Sequence, residues 1–223
     1  MNPTNLEETF FLDKSHENVK NFIAKLNLEN LTDLEKVLKI YFALRDQIVY
    51  DPYHIVLRKE ELKASRVLER GYGYCVEKSL TFATLLRSIG VPARLGFANV
   101  KNHLNSKRLQ TLMQSDVFVY HGYTEVFLNE KWVKATPAFN LRLCERAGIK
   151  PLDFDGIHDS IFHSHTNSGS QHMEYLHDYG TFSDLPFDKM IDEYDKYYPH
   201  LKIKEKKTFG DFAKVKFEDE LIK

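Results

Sequence analysis

The sequence has few of the features that would place it in several large classes of protein. Only two of its 223 residues are cysteines, Cys75 and Cys144, so disulfide bonds cannot organise the fold and a reducing, cytoplasmic location is expected. No stretch approaches the roughly 18 consecutive apolar residues of a membrane span. Residues 1–8 lack the basic start and apolar core of a signal peptide. We therefore expect no membrane partner.

Excess charge of one sign is also missing. The formal net charge is −1 and the isoelectric point is about 6.8, which gives no electrostatic reason to expect a nucleic-acid partner. A chain of this length fits one large domain and can bury a core without disulfide bonds. The sequence contains no internal repeat, and it does not indicate the oligomeric state.

The first 90 residues carry helical signals. Ser15 can cap a first helix, and Thr32 followed by Glu35 has the spacing of a capping box for a second helix. A short third helix is expected to end at Gly71. The apolar residues between Cys75 and Ser88 cover more than one face, which predicts a central, buried helix.

The pattern then changes to strands. Residues 93–100 and 117–128 are predicted strands, and a turn at 129–130 leads to a third strand over 132–136. Helices followed by antiparallel strands predict an α+β domain. Beyond these strands the signals are weaker: Asn140 can cap a short helix, Pro186 can begin another, and the charged tail after Leu201 favours partial disorder.

Cys75 follows a glycine-rich turn and begins the predicted central helix. The thiolate is the nucleophilic form of cysteine, and a helix N-terminus stabilises negative charge. The unpaired N–H groups there could also bind the oxyanion formed when a carbonyl is attacked. Gly71 and Gly73 would allow a tight turn and leave room for substrate. The competing interpretation is a buried structural cysteine, which is the more common role of a free cysteine.

His121 is the candidate base for this nucleophile. It lies in the strand 117–128. The next residue, Gly122, has no side chain to crowd the histidine. A base must come within about 3 Å of its nucleophile, a distance that sequence does not reveal. A single histidine in a strand is more often a hydrogen-bonded core residue. His103 is a second candidate, but no hairpin follows it.

Four segments together resemble the transglutaminase-like superfamily. They are residues 64–75 (ASRVLERGYGYC), 90–94 (GVPAR), 121–126 (HGYTEV), and 131–133 (KWV) with Thr136-Pro137. The similarity covers about residues 35–140 and is greater to bacterial members of uncharacterised role than to the protein-crosslinking enzymes. It implies a papain-like core, with Cys75 on a central helix packed on an antiparallel sheet that carries His121. It also implies acyl transfer through a thioester, by amide hydrolysis or by transfer to an amine.

The sequence departs from the family pattern at Thr136, where relatives usually carry an aspartate. A two-residue turn would pair Leu128 with Lys131 and place Thr136 near His121, where its hydroxyl could orient the imidazole without supplying charge. Asp116 and Asn140 are possible substitutes. We predict a catalytic set of Cys75, His121 and Thr136 acting on a peptide or other amide. The alternative is a catalytically silent module that binds a peptide or protein.

Three further expectations complete the prediction. The chain is divided into a helical appendage (1–34), a transglutaminase-like core (35–140) and an extension packed on the core (141–223). No cofactor is expected. The histidine-rich segment 158–177 could support a metal-dependent hydrolase, but its spacing is irregular and we predict no metal site there. Cys144 is predicted to be a packing residue.

Overall fold

The computed structural model describes residues 3–102, 106–161, 173–208 and 215–220. The α-helices of this part of the chain are α1 Glu17–Ala24, α2 Asp33–Gln47, α3 Ala64–Arg70, α4 Cys75–Ser88, α5 Lys107–Met113, α6 Leu141–Ala147, α7 Phe187–Tyr197, α8 Ile203–Lys206 and α9 Phe217–Glu220. The strands are β1 Val49–Tyr50, β2 Tyr72–Gly73, β3 Ala93–Asn102, β4 Val117–Leu128, β5 Lys131–Ala135 and β6 Met173–Phe182.

The sheet and the central helix form the centre of the fold. Strands β3–β6 form an antiparallel sheet in the order β5-β4-β3-β6, and α4 packs on β4 and β3. Every residue of α4 from Cys75 to Arg87 is buried, as expected for a helix with apolar residues on more than one face. The predicted α+β fold class is confirmed. A helix that could cross a bilayer is absent from the residues described above.

Local sequence signals explain most of the helix and turn boundaries. Thr32 and Glu35 form the predicted capping box at the start of α2, and Gly71 ends α3 with a φ of +77°. The predicted two-residue turn joins β4 to β5, with positive φ at Asn129 and Glu130 and with Leu128 paired to Lys131. For α1 the capping residue is His16 rather than Ser15, because the His16 ring accepts the N–H of Asn18.

Two parts of the chain carry elements that the sequence did not predict. Strand β6 pairs with β3, but its sequence does not alternate between apolar and polar residues, and most of its residues are partly or fully exposed at the edge of the sheet. Within the charged tail, where partial disorder was expected, residues 203–206 and 217–220 are helical. The reason is that Ile203 and Phe217 are buried and anchor these short helices to the core.

A buried lysine connects α4 to α2. The Nζ atom of Lys78 donates hydrogen bonds to the carbonyl oxygens of Arg45 at 2.9 Å and Ile48 at 2.5 Å, where α2 ends. Burial lowers the pKa of Lys78 to about 7, which is far below the usual lysine value. The contact fixes α4 to the C-terminal end of α2.

Candidate active site

The backbone around Cys75 is held by a two-strand pair and a helix cap. Tyr72 and Gly73 pair in parallel with Val49 and Tyr50, and α4 then begins at Cys75 itself. The short parallel pair therefore sets where the α4 N-terminus, and with it the cysteine, lies.

The space where a side chain of Gly73 would lie is occupied, so room for substrate beside the sulfur stays a prediction. A Cβ placed on Gly73 would lie 3.1 Å from a carboxylate oxygen of Glu77 and 3.3 Å from a methyl of Val67. Glu77 is buried: one oxygen accepts the N–H of Tyr74 at 3.1 Å and the other lies 2.5 Å from the guanidinium of Arg70. The carboxylate thus caps the first turn of α4.

Gly122 brings β4 into backbone contact with the start of α4. A Cβ placed on Gly122 would lie 2.8 Å from the Cα of Val76 and 3.2 Å from the carbonyl oxygen of Cys75. Real Cβ atoms do not approach backbone this closely, so only glycine fits without a shift. Because His121 precedes Gly122, this contact brings its backbone to the helix N-terminus that carries Cys75.

Two hydroxyl groups fasten the same helix and strand together. The Ser79 hydroxyl, one turn after Cys75, donates to the carbonyl oxygen of Gly122 at 2.9 Å. The Thr124 hydroxyl donates in the opposite direction, to the carbonyl oxygen of Ser79 at 2.8 Å. Both residues are buried, so these bonds are shielded from water. They fix the position of β4 along α4.

A β-bulge lies directly before His121. Ala98 pairs with His121 and Val100 pairs with Phe118, so Asn99 of β3 lies opposite two residues of β4. One of these two, Tyr120, has a φ of +55°, a conformation that is uncommon for a bulky residue. A bulge of this kind redirects the following side chain, which here is His121.

Side chains satisfy the backbone groups that the bulge leaves without a strand partner. Asn99 Oδ1 accepts the N–H of Tyr120 at 3.3 Å. The Tyr198 hydroxyl accepts the N–H of Val119 at 3.1 Å and donates to the carbonyl oxygen of Val117 at 2.8 Å. The strained segment is therefore held from both sides.

Cys75 and His121 line the same partly open cavity. Its volume is about 40 Å³, enough for a few water molecules. The rest of its wall is mostly aromatic and aliphatic and comprises Tyr50, Pro52, Ile55, Tyr74, Val100, Asn102, Leu109, Met113, Phe118, Val119, Phe139, Met173, Tyr194, Tyr198 and Phe217.

Burial dominates the electrostatics of the thiol. The Cys75 side chain is almost fully enclosed, and burial raises its pKa to about 11, against the depression expected at a helix N-terminus. The backbone N–H groups of Gly122 and Val76 act in the opposite direction, because they hydrogen-bond the sulfur and favour the thiolate. The carboxylate of Glu77 adds to the increase. In this cavity the sulfur is therefore a thiol at neutral pH.

Thr136 is not brought into this cavity. The β4–β5 pairing ends at Thr124 and Ala135, and the backbone N–H of Thr136 donates instead to Ser160 at 2.8 Å. The Thr136 hydroxyl is buried and has no hydrogen-bond partner within the described part of the chain. It therefore does not hold the His121 ring in this structure, and its catalytic role stays a prediction.

The two possible substitutes for Thr136 are otherwise engaged. Asp116 is largely exposed and lies 3.2 Å from the ammonium of Lys101. Asn140 is buried, and its side-chain oxygen accepts the N–H of Tyr50 at 3.2 Å. Neither lines the cavity. Asn140 ties the start of α6 to the cavity wall.

Of the remaining candidates, the structure describes Cys144, which does not line this cavity. Cys144 is fully buried in α6, and burial raises its pKa to about 12, in keeping with a packing residue. His103 and the histidines at 163, 165 and 172 lie outside the described residues, so the metal prediction is open there. Among the residues that the structure does describe, no group of three or more metal-ligating side chains is found.

The sequence did not predict that residues from the C-terminal elements would line the cavity. Met173 comes from β6, Tyr194 from α7, Tyr198 from the residue after α7, and Phe217 from α9. The spacing of Tyr194 and Tyr198, four residues apart, was the one available signal, and it indicates only a shared helix face. No local signal indicates that Phe217 lines this cavity, because most of the other lining residues are far from it in the chain.

The model of the transglutaminase-like superfamily matches residues 20–137, which is more than half of the chain. The chain belongs to the transglutaminase-like superfamily. The resemblance in the four sequence segments is thereby confirmed. Curated proteins give no match to this sequence.

A solved structure shares the fold of this superfamily member. It is a protein from Cytophaga hutchinsonii described as a "Putative Cysteine Protease", with a TM-score of 0.50 and 14% sequence identity. The match covers 83% of this chain and 48% of the other, so the chain spans about half of that protein's length. At this identity the similarity establishes the shared architecture alone.

Proposed function

We propose that the protein is a cysteine-dependent acyl-transfer enzyme, an amidase, peptidase or amide transferase, with Cys75 as nucleophile and His121 as base. The observation that carries the proposal is that both side chains line one cavity at the N-terminus of a buried helix. Membership of the transglutaminase-like superfamily supports the same chemistry.

Acylation begins with proton transfer from the Cys75 thiol to the imidazole of His121. The sulfur forms a bond to the amide carbonyl carbon, and the carbonyl electron pair moves to the oxygen. The N–H groups at the N-terminus of α4 are suited to bind this oxyanion. The intermediate collapses as the carbon–nitrogen bond breaks, and His121 returns its proton to the leaving amine.

Deacylation repeats these steps in reverse with a second nucleophile. Water or an amine attacks the thioester carbonyl while His121 removes its proton, and the sulfur leaves and is reprotonated. Water gives hydrolysis, and an amine gives transfer. Because burial raises the thiol pKa to about 11, the imidazole must take the proton as the reaction proceeds. Thr136 has no step in this scheme, since its hydroxyl does not contact the ring in the described part of the chain.

One observation favours a catalytically silent binding module instead. The thiol in the cavity is buried and protonated, and no described carboxylate lines the cavity to stabilise an imidazolium. In this second function the same apolar cavity would hold a ligand side chain, and Cys75 would contribute only packing. The two functions differ in whether His121 activates the sulfur.

Thiol labelling tests the proposed activation. A limiting dose of iodoacetamide at pH 7, read by peptide mass spectrometry, is expected to modify Cys75 at least tenfold faster than Cys144, which serves as the internal control. His121→Ala should reduce the Cys75 rate by about tenfold or more, because the thiol then loses the group that accepts its proton. Equal rates at both cysteines would contradict the assignment.

Turnover separates the two functions. A panel of peptide amides with a fluorescent leaving amine is expected to be cleaved by the unmodified protein and not by Cys75→Ala. Intact-mass measurement during turnover should detect one acyl group on the protein and none on the variant. If Cys75 labels preferentially but no peptide is cleaved and no acyl group forms, the binding module is the better description.

A further inference from the structure

Helix α9 places an aromatic side chain in the wall of the cavity that contains Cys75. Phe217 is 4% exposed, and its ring packs against Tyr50 at a centroid distance of 5.7 Å and against Tyr53 at 5.5 Å. Helix α9 has only four residues, too few to be stable in isolation, so its position depends on these contacts. Phe217 therefore acts as the apolar anchor of a short segment.

Each carboxylate of α9 meets an arginine beside the same cavity. Glu218 lies 3.2 Å from Arg142, Asp219 contacts Arg146, and Glu220 lies 3.0 Å from Arg108. Arg142 and Arg146 belong to α6, which follows the cavity residue Phe139, and Arg108 belongs to α5, whose Leu109 and Met113 line the cavity. The arginines thus surround the aromatic anchor on two sides.

Access of a large side chain to the Cys75 cavity is limited, because its volume of about 40 Å³ holds only a few water molecules. Displacing part of the wall would enlarge the site. The walls from α4 and β4 belong to the buried centre of the fold. Helix α9 is held by the Phe217 ring, by the three ion pairs and by a hydrogen bond from the Tyr53 hydroxyl to Glu220. The arginines of the pairs are 41–59% exposed, whereas Glu218 is buried. As a four-residue element outside the sheet and α4, α9 is a part of the wall whose displacement leaves the centre of the fold intact.

We propose that this cavity is the binding site for an aromatic side chain of a peptide whose neighbouring residues are acidic, and that α9 occupies the site as an intramolecular ligand. The described residues of the cavity wall include no Asp, Glu, Lys or Arg and are mostly aromatic or aliphatic, so the cavity suits an uncharged, apolar group. Arg108, Arg142 and Arg146 bind the adjacent carboxylates. This proposal rests on the proposed function for its substrate, but the binding itself needs no reaction at Cys75.

A peptide with the sequence of residues 215–220 (VKFEDE) tests the site, with both ends blocked and a fluorescent label attached. Anisotropy measures its affinity for the full chain. Phe217→Ala should bind the peptide at least tenfold more tightly than the unmodified chain, because the internal competitor loses its anchor. Tyr197→Ala, which removes an exposed aromatic ring from α7, is the matched control and should not change the affinity.

Variants of the peptide and of the arginines define the recognition. Replacing the peptide's phenylalanine with alanine, or its three acidic residues with their amides, should each weaken binding to Phe217→Ala at least tenfold. Arg142→Glu with Arg146→Glu should have the same effect. Should Phe217→Ala fail to fold, Asp219→Lys weakens α9 at a position that is 42% exposed and should also tighten peptide binding.

Binding to a Cys75→Ala background separates this proposal from the proposed function. Peptide binding that persists there, together with equal labelling of the two cysteines in the unmodified chain, would reject the catalytic function alone. Folded Phe217→Ala or Asp219→Lys protein that binds the peptide no better than the unmodified chain would overturn the intramolecular-ligand proposal.

Discussion

The sulfur of Cys75 experiences two opposing effects on its charge. The first turn of α4 and the N–H of Gly122 favour the thiolate, as the sequence position predicts, but burial raises the pKa to about 11. Desolvation wins because the cavity holds at most a few waters. Displacement of α9 would admit water and substrate dipoles, and the balance would then move toward the thiolate.

The unpaired hydroxyl of Thr136 leads to a stability prediction. Thr136→Val keeps the shape of the side chain and removes a buried hydroxyl that has no partner among the described residues. The free energy of unfolding, measured by urea denaturation, should rise by about 1 kcal/mol. The rate of Cys75 labelling should stay within twofold of the unmodified protein.

Thr84→Val is the matched control for this prediction. The Thr84 hydroxyl is also buried, but it donates to the carbonyl oxygen of Leu80 at 2.9 Å, so its removal should lower the free energy of unfolding. A tenfold fall in Cys75 labelling in Thr136→Val would restore Thr136 as the residue that orients His121.

At the scale of helices and strands, the contact between α4 and β4 determines whether Cys75 and His121 share a cavity. Gly122→Ala should separate the two elements, because its methyl group would lie 2.8 Å from the Cα of Val76. We expect the free energy of unfolding to fall by about 1–3 kcal/mol. Labelling of Cys75 should change at least tenfold, since the N–H of Gly122 would move from the sulfur.

Gly148→Ala provides the comparison. Gly148 ends α6 with a φ of +66° and has no atom within 4 Å of its missing Cβ, so alanine there strains the backbone without meeting a neighbour. It should also destabilise the protein, but it should leave the Cys75 labelling rate unchanged. If both variants alter the Cys75 labelling rate equally, the change is caused by the lower stability of the protein and not by loss of the contact between Gly122 and α4.

Sequence predicted the elements that carry strong local signals. The capping box at Thr32, the end of α3 at Gly71 and the boundaries of α4 depend on short-range chemistry and were correct. The β4–β5 register was also correct, because a two-residue turn determines which residues pair. The cysteine and histidine could therefore be placed on the right elements.

The parts that depend on distant contacts could not be predicted. A positive φ is uncommon for a bulky residue such as Tyr120. Asn99 and the hydroxyl of Tyr198, which is far along the chain, hold this segment in place. Strand β6 lacks an alternating pattern, and Phe217 reaches the cavity only through the folded core. The expected neighbour of His121, Thr136, lies beyond the end of β5, where Ser160 takes over its backbone hydrogen bond.

At the scale of the whole molecule, buried Lys78 makes stability depend on pH. Its pKa is about 7 in the folded protein and near 10.5 when exposed, so the unfolded chain binds more protons between these values. The free energy of unfolding, relative to Lys78→Met, should therefore rise as the pH increases from 7 to 10. Below pH 7 the difference should be constant, because the lysine is then charged in both states.

The measurement is urea denaturation at several pH values, with Lys39→Met as the control. Lys39 is exposed and also donates to a backbone carbonyl oxygen, that of Asn27, at 3.1 Å. Its difference from the unmodified protein should not vary with pH over this range. A flat difference for Lys78→Met as well would mean that Lys78 stays charged in the folded protein.

The close approach of Gly122 to Cys75 and Val76 also determines how Cys75 and His121 can separate. The backbones of α4 and β4 are in van der Waals contact and are joined by the hydrogen bonds of two buried hydroxyl groups, so a partial separation would break these bonds. Cys75 and His121 can part only when β4 detaches from α4, an opening that exposes the centre of the core. The backbone amide of Gly122 should therefore exchange its hydrogen with solvent as slowly as the most protected amides of the sheet.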